Sequence, residues 1–113
     1  MSQQTITVAQ GNDPLLDIYL TVAGSTTAYD LTGATMTFYV KTDPTQSDGS
    51  ATGTYTSGGG EITVVGSASE GHLTVQMSST HLTNAGTYWY KLDSVKNTKK
   101  ETVMYGPLIV VDV

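Results

Sequence analysis

Apolar and polar residues alternate with a period of two along most of this chain. Leu16, Ile18, Leu20 and Val22 alternate with Leu15, Asp17, Tyr19 and Thr21, and Ala34, Met36, Phe38 and Val40 with Thr35, Thr37, Tyr39 and Lys41. Leu73, Val75 and Met77 flank Thr74 and Gln76, while Tyr88, Tyr90 and Leu92 interleave with Trp89, Lys91 and Asp93. Successive strand side chains point to opposite faces, so each run predicts a strand with one buried and one wet face. Antiparallel sheets with a solvated face have this pattern, whereas buried parallel strands are continuously apolar. No long window repeats an apolar residue at helical spacing. Only Ser78–Leu82 predicts a helical turn, capped by Ser79 or Thr80.

Turn residues divide these runs. Gly11-Asn12-Asp13-Pro14 ends a first strand over residues 4–10, and Ala23-Gly24-Ser25-Thr26 follows the second. Asp43-Pro44 ends the third, because proline lacks the N–H a ladder needs. Residues 45–60 are rich in Gly, Ser and Thr and predict a long flexible loop around a short edge strand, Thr52–Thr56. A strand Glu61–Val65, a turn Ser67–Gly71 and a hairpin closed by Lys96-Asn97-Thr98-Lys99 lead to a last strand, Glu101–Val111. Gly106-Pro107 marks a bulge or an edge position in it. The expectation is an all-β, immunoglobulin-like β-sandwich of about seven to eight antiparallel strands, in one domain over residues 1–113. The expected core is Leu16, Ile18, Leu20, Phe38, Val40, Ile62, Val64, Leu73, Val75, Tyr88, Tyr90, Leu92, Leu108 and Val110. Residues 1–10 pair either within this sandwich or, as an exchanging arm, on a neighbour's open edge.

Composition narrows the function classes. Charged residues are 13% of the 113, about half the usual ~25%. The polar surface is carried instead by 20 Thr and 10 Ser. A coiled coil would be rich in Ala, Glu, Lys and Leu, and a disordered tail poor in β-branched residues; 11 Val and 7 Tyr fit neither. Net charge is −5 with no arginine, and the only basic cluster, Lys96, Lys99 and Lys100, falls at a hairpin tip. Nucleic acid and anionic membrane are therefore not expected partners. Without cysteine there is neither a disulfide framework nor a thiolate zinc site. Met1–Thr5 carries no basic region followed by an apolar stretch, so no signal peptide is expected and synthesis is placed in a cytoplasm.

Catalytic, metal and cofactor chemistry find little footing. His72 and His81 form no His-Glu-x-x-His pair and are expected as solvent-exposed structural histidines. Ser57-Gly58-Gly59-Gly60 lacks the Lys-Ser/Thr and helix of a phosphate cradle, and no Gly-x-Ser-x-Gly elbow is present. Asp13, Asp17, Asp30, Asp43 and Asp48 would hold Ca²⁺ only where loops converge. No catalytic, cofactor-binding or metal residue is assigned, and no enzyme activity is expected. Tyr19, Tyr39 and Trp89 fall on the outward faces of their strands and are the candidate protein-interface residues. Cross-strand stiffening and a sugar-binding platform are the alternatives.

Leu82-Thr83-Asn84-Ala85-Gly86-Thr87-Tyr88-Trp89-Tyr90 resembles the start of strand F in immunoglobulin-like domains. There a tyrosine hydroxyl bonds back to upstream backbone, two residues before the inter-sheet cysteine. The resemblance makes Tyr88 the structural tyrosine corner and puts Tyr90 in the cysteine position. Further segments are Tyr29-Asp30-Leu31-Thr32-Gly33-Ala34-Thr35 through Lys41, Gly60–Val64, Gly71–Met77 and Tyr105-Gly106-Pro107-Leu108-Ile109-Val110. In this order they resemble the small β-sandwich structural proteins of tailed phages. They are similar to the N-terminal domain of phage baseplate upper proteins, over nearly the whole chain. The resemblance implies a non-enzymatic virion protein: an accessory module of tail, baseplate or fibre base, homo-oligomeric in the particle and bound to other virion proteins. A capsid decoration protein is the structural alternative, and a carbohydrate-binding host-adhesion module the alternative from another class. Longer members continue into a helical or fibre region. Here the chain stops at Val113, so a compact module acting through its own surface is expected.

Overall fold

A computed structural model describes residues 2–3, 5–22, 26–43, 45–82 and 84–112. The strands are β1 (Ser2–Gln3), β2 (Ile6–Ala9), β3 (Leu15–Tyr19), β4 (Thr35–Lys41), β5 (Gly53–Thr56), β6 (Ile62–Val64), β7 (His72–Gln76), β8 (Gly86–Lys96) and β9 (Lys99–Val111). Three short 3₁₀ turns cover Asp48–Ser50, Ala68–Glu70 and Ser79–His81. The larger sheet has the order β1-β9-β8-β4-β5, with β2 also on β9; the smaller is β3-β7-β6. The molecule is all-β. Alternation sends Met36, Phe38, Val40, Tyr90, Leu92 and Leu108 from the larger sheet, and Ile18, Ile62, Leu73 and Val75 from the smaller, into one shared core. No helix among the described residues is long and apolar enough to cross a membrane.

Several expectations are corrected. The N-terminal segment forms two short strands, and both run parallel to β9, not antiparallel. Parallel neighbours need a long crossover between them, and here everything from β3 to β8 serves as that crossover. The break between β1 and β2 falls opposite Pro107, since Gln3 pairs with Tyr105 and Ile6 with Leu108. Proline offers no N–H to a ladder there. Gly106-Pro107 is itself no bulge: both residues stay in register with Tyr90 and Trp89. The register shifts instead where Leu92 faces Met104 and Asp93 faces Thr102, leaving Val103 as the extra residue. Val64 belongs to an edge strand and is 37% exposed rather than core. Leu16 and Tyr88 pack only partly buried against the core, and Val8, Leu31, Met36, Tyr55, Met77, Leu82, Val103 and Met104 join it.

The local turns follow from their residues. Asn97 and Thr98 both take positive φ, 50° and 66°. That pair makes the two-residue turn whose twist matches the flanking strands. The turn at Ser79–His81 is capped by Ser78, not by Ser79 or Thr80: its hydroxyl accepts from the Thr80 N–H. The expected loop over residues 45–60 contains β5 and the 3₁₀ turn Asp48–Ser50. Gln4 at the predicted strand start, Ala23-Gly24-Ser25 of the predicted turn, Pro44 as a strand stop, Thr83 and the His81 side chain lie outside the described residues.

Candidate interaction surface

The outward face of β4, β8 and β9 is ordered in cross-strand rows. Lys41 lies beside Trp89, and Trp89 beside Pro107; in the next row Tyr39, Lys91 and Tyr105 are neighbours. Below them come Thr37, Asp93 and Thr102. Aromatic and lysine side chains thus alternate between rows. Lys91 Nζ sits 5.3 Å from the Tyr39 ring centre and Lys41 Nζ 5.7 Å, within reach of cation–π attraction. A depression of about 530 Å³ opens on this face, lined by Trp89, Tyr105, Lys41, Lys91, Glu101 and Thr102 among others.

The lysine charges are consumed within the face. The turn Asp48–Ser50 brings Asp48 onto it, where its carboxylate lies 2.7 Å from Lys41 Nζ, 3.0 Å from Lys91 Nζ and 3.1 Å from Lys100 Nζ. Asp93, 2% exposed, lies 3.1 Å from Lys91 Nζ and 3.4 Å from Lys100 Nζ through Oδ2. Both are close ion pairs to a buried oxygen of the Asp93 carboxylate. Its Oδ1 accepts from the Thr102 hydroxyl at 2.7 Å. Three ammonium groups therefore meet two buried or half-buried carboxylates. Hydrogen bonds from Lys41 and then Lys91 hold the Asp48 carboxyl far below the usual carboxylate range. Burial pulls Lys91 down, but its bonds to Asp48 and Asp93 outweigh that and hold it above the usual lysine value. Lys100 is raised by its bond to Asp48.

This arrangement sets a pH dependence. The folded pKa of Asp48 is depressed, so the stability from its lysine contacts is fully present above the unfolded value of about 3.9 and is lost as pH falls below it. The expected result is that Asp48→Asn is less stable than the natural protein at pH 7. The gap between their urea midpoints should narrow progressively below about pH 4. A gap independent of pH would remove the ion network as the cause.

The predicted interface residues separate into two places. Tyr39 and Trp89 share the face just described, and both are half-buried. Tyr19 is on the outward side of the smaller sheet, so the three form no single patch, because strand parity fixes a face but not which sheet bears it. Tyr19 is 65% exposed. Its ring stacks on His72, with centroids 4.0 Å apart and planes 14° apart, and His72 Nε2 contacts Asp17 Oδ1. His72 is thus covered and paired, not solvent-exposed as expected. Tyr88 Oη donates to the Asn84 carbonyl at 3.0 Å. Tyr90 is buried and stacks on Phe38 at 5.4 Å and 9°. Sequence reasoning missed Tyr105, Lys41, Lys91 and Asp48 at the surface.

The five aspartates weighed for Ca²⁺ are dispersed over local tasks. Asp30 and Asp43 each accept from a threonine two residues on, Asp13 accepts from the Ser79 N–H, Asp17 meets His72, and Asp48 meets lysines. No metal-holding cluster of three or more His, Asp or Glu side chains forms among the described residues. Neither a protein-family model nor a curated protein matches the sequence.

Proposed function

We propose that this chain is a non-enzymatic structural module of a tailed-phage particle, an immunoglobulin-like sandwich that binds other virion proteins at the tail, baseplate or fibre base. The strand orders support the fold half of this reading. β9-β8-β4-β5 opposite β3-β7-β6 corresponds to G-F-C-C′ opposite B-E-D in immunoglobulin-like domains. The Tyr88 bond to Asn84 corresponds to the corner. The stacked Phe38 and Tyr90 stand where that family packs a tryptophan on a disulfide.

The observation that carries the assembly half is the face of Trp89, Tyr39 and Tyr105. Its lysines are tied to Asp48 and Asp93, so what it chiefly offers a partner is ring surface on a rigid sheet. Rigid aromatic anchors with internally satisfied charges suit a repeated protein contact. The phage context comes from the resemblance of Tyr29–Lys41, Leu82–Tyr90 and the segments around them.

Quantitative mass spectrometry of purified particles from a lysate that contains this chain tests the reading. In a symmetric assembly, about six to a few dozen copies per particle place it in tail or baseplate, and on the order of hundreds move it to the head surface as a decoration protein. Absence from particles overturns the proposal. Adsorption of the isolated chain to host cells, competed by free sugar, would replace it with the adhesion module.

A further inference from the structure

β3 closes one side of the smaller sheet and, among the described residues, pairs only with β7. The hydrogen-bond phase of that pair follows from its ends. Leu20 N–H donates to the Gly71 carbonyl and Met77 N–H to the Pro14 carbonyl. With Ile18 opposite Leu73 and Leu16 opposite Val75, the even-numbered residues of β3 direct their N–H and C=O groups at β7. In an antiparallel ladder the intervening residues direct theirs the other way. Leu15, Asp17 and Tyr19 therefore present a row of backbone donors and acceptors along a free edge. Such a row is a template for another strand.

The side chains at this edge are prepared for cover. Leu15, Tyr19 and Val22 are three of the five large apolar side chains exposed on the described surface. A groove of about 420 Å³ runs alongside, between β3 and the N-terminal segment, lined by Ile6, Leu16, Ile18 and Met104 with Thr5 at its rim. Asp17, which meets His72 through Oδ1 and keeps its side chain 59% exposed, stands midway between Leu15 and Tyr19 on the outward side. The other edge strands are shorter: β1 spans two residues, β6 three, β2 four, and β5 four that begin with Gly53.

We infer that the edge of β3 is a strand-addition site for an extended segment of a partner protein, apolar at alternate positions and carrying a lysine or arginine opposite Asp17. Inward side chains of that segment would fill the groove, and outward ones would cover Leu15 and Tyr19 on either side of the ion pair. A second copy of this chain fits poorly. The edge strands β1, β2, β3, β5 and β6 contain no basic residue, and the uncovered start of β9 puts Lys99 and Lys100 side by side at a hairpin tip instead of one lysine between apolar neighbours. Lys41, Lys91 and Lys100 are held by Asp48, and Lys96 donates to the Asp30 carbonyl. Two β3 edges paired along their full length about a two-fold axis would set Asp17 against Asp17, and like charges directly opposite destabilise a ladder. Each copy also carries a net charge of −5. The site rests on the assembly reading and gives the partner a chemistry.

The test is a titration of the ¹⁵N-labelled full chain with the capped peptide Thr-Val-Val-Lys-Val-Tyr-Thr and with its counterpart bearing Glu for Lys. The lysine peptide is expected to shift the resonances of Leu15–Tyr19 and of the groove residues, and to slow exchange of the Leu15, Asp17 and Tyr19 amides. The glutamate peptide is expected to bind about tenfold more weakly, and Asp17→Lys to reverse that preference. Asp17→Pro removes an outward N–H together with the carboxylate while the ladder bonds to β7 fall on the even-numbered residues, and should abolish binding of both peptides, where loss of the charge alone would only remove the preference between them. The site is overturned by three results: no shift along β3 at millimolar peptide, equal binding of both peptides, or protection of the β3 amides by self-association before peptide is added. Such a failure would leave the particle copy number untouched, so it is distinguishable from failure of the assembly reading.

Discussion

Phe38→Ala is expected to destabilise the protein by about 3–5 kcal/mol, the range for deleting a buried aromatic ring. Phe38 has no exposed surface. Its ring stacks on Tyr90 and lies 6.3 Å, tilted, from Tyr55, so three aromatic rings from β4, β5 and β8 share one contact. Adjacent strands of one sheet cannot close over the hole without moving the ladder, since β4 is bonded on both sides, to β5 and β8. The cavity therefore stays open, and its cost adds to the lost transfer energy. A domain of this kind has roughly 5–15 kcal/mol in total, so the variant should lose a large part of its stability. Urea denaturation should show a much lower midpoint with an unchanged slope. Phe38→Leu, which keeps most of the volume, should cost about 1.5 kcal/mol or less. Similar losses for both variants would mean that shape, not buried volume, governs this centre.

Phe38 was legible before any coordinates, because a period of two is the direct imprint of one-sided burial. The same rule located β3, β4, β7 and β8. It had no purchase on the pairing of β1 and β2 with β9, since a parallel neighbour is distant in sequence and leaves no turn to mark it. The bulge at Val103 did leave a trace. Val103 and Met104 are consecutive and both buried, and two adjacent apolar residues break the alternation. Gly106-Pro107, the stronger local signal, acts instead on the neighbouring strand, where β1 and β2 part. Met77 lies one residue beyond β7 and continues its alternation, whereas Leu82 is a core residue outside any strand, so no periodicity could assign it.

The interaction surface was half legible for a related reason. Parity places Tyr39 and Trp89 outward, but only the register makes them neighbours, and only the sheet order sets Tyr19 on the opposite side of the molecule. Asp93 has outward parity too, yet it is buried beneath its lysines and the Asp48–Ser50 turn. A Gly- and Ser-rich stretch gives no local reason to fold back on a sheet. The reason is long-range: Lys41, Lys91 and Lys100 come together only after β4, β8 and β9 pair, and Asp48 then has a site to occupy. Alternation places Lys41, Lys91 and Asp93 on a wet face, and there they anchor a loop.

Gly71→Ala is expected to cost about 3 kcal/mol, and Gly33→Ala at a nearly identical backbone conformation only about 1 kcal/mol. Gly71 has φ +69° and Gly33 φ +73°, so each alanine suffers the same left-handed strain, roughly 1–2 kcal/mol. Their surroundings differ. A Cβ at Gly33 meets nothing within 4 Å, whereas one at Gly71 would lie 2.5 Å from the Leu20 carbonyl oxygen and 2.9 Å from that of Tyr29. Both obstacles are backbone, and both are fixed. Leu20 N–H donates to the Gly71 carbonyl, and Tyr29 N–H to the Leu20 carbonyl. The chain entering β7 is thus threaded against the end of β3 and the segment leading to β4, where the smaller sheet and the long connection meet. Relieving the clash breaks one of these bonds or moves β3 away from β7, which adds an overpacking cost of about 1–3 kcal/mol. Paired urea curves for the two variants measure the difference directly. Equal costs would show that the backbone can part at this crossing, and that the free edge of β3 is less rigid than a strand-binding template requires.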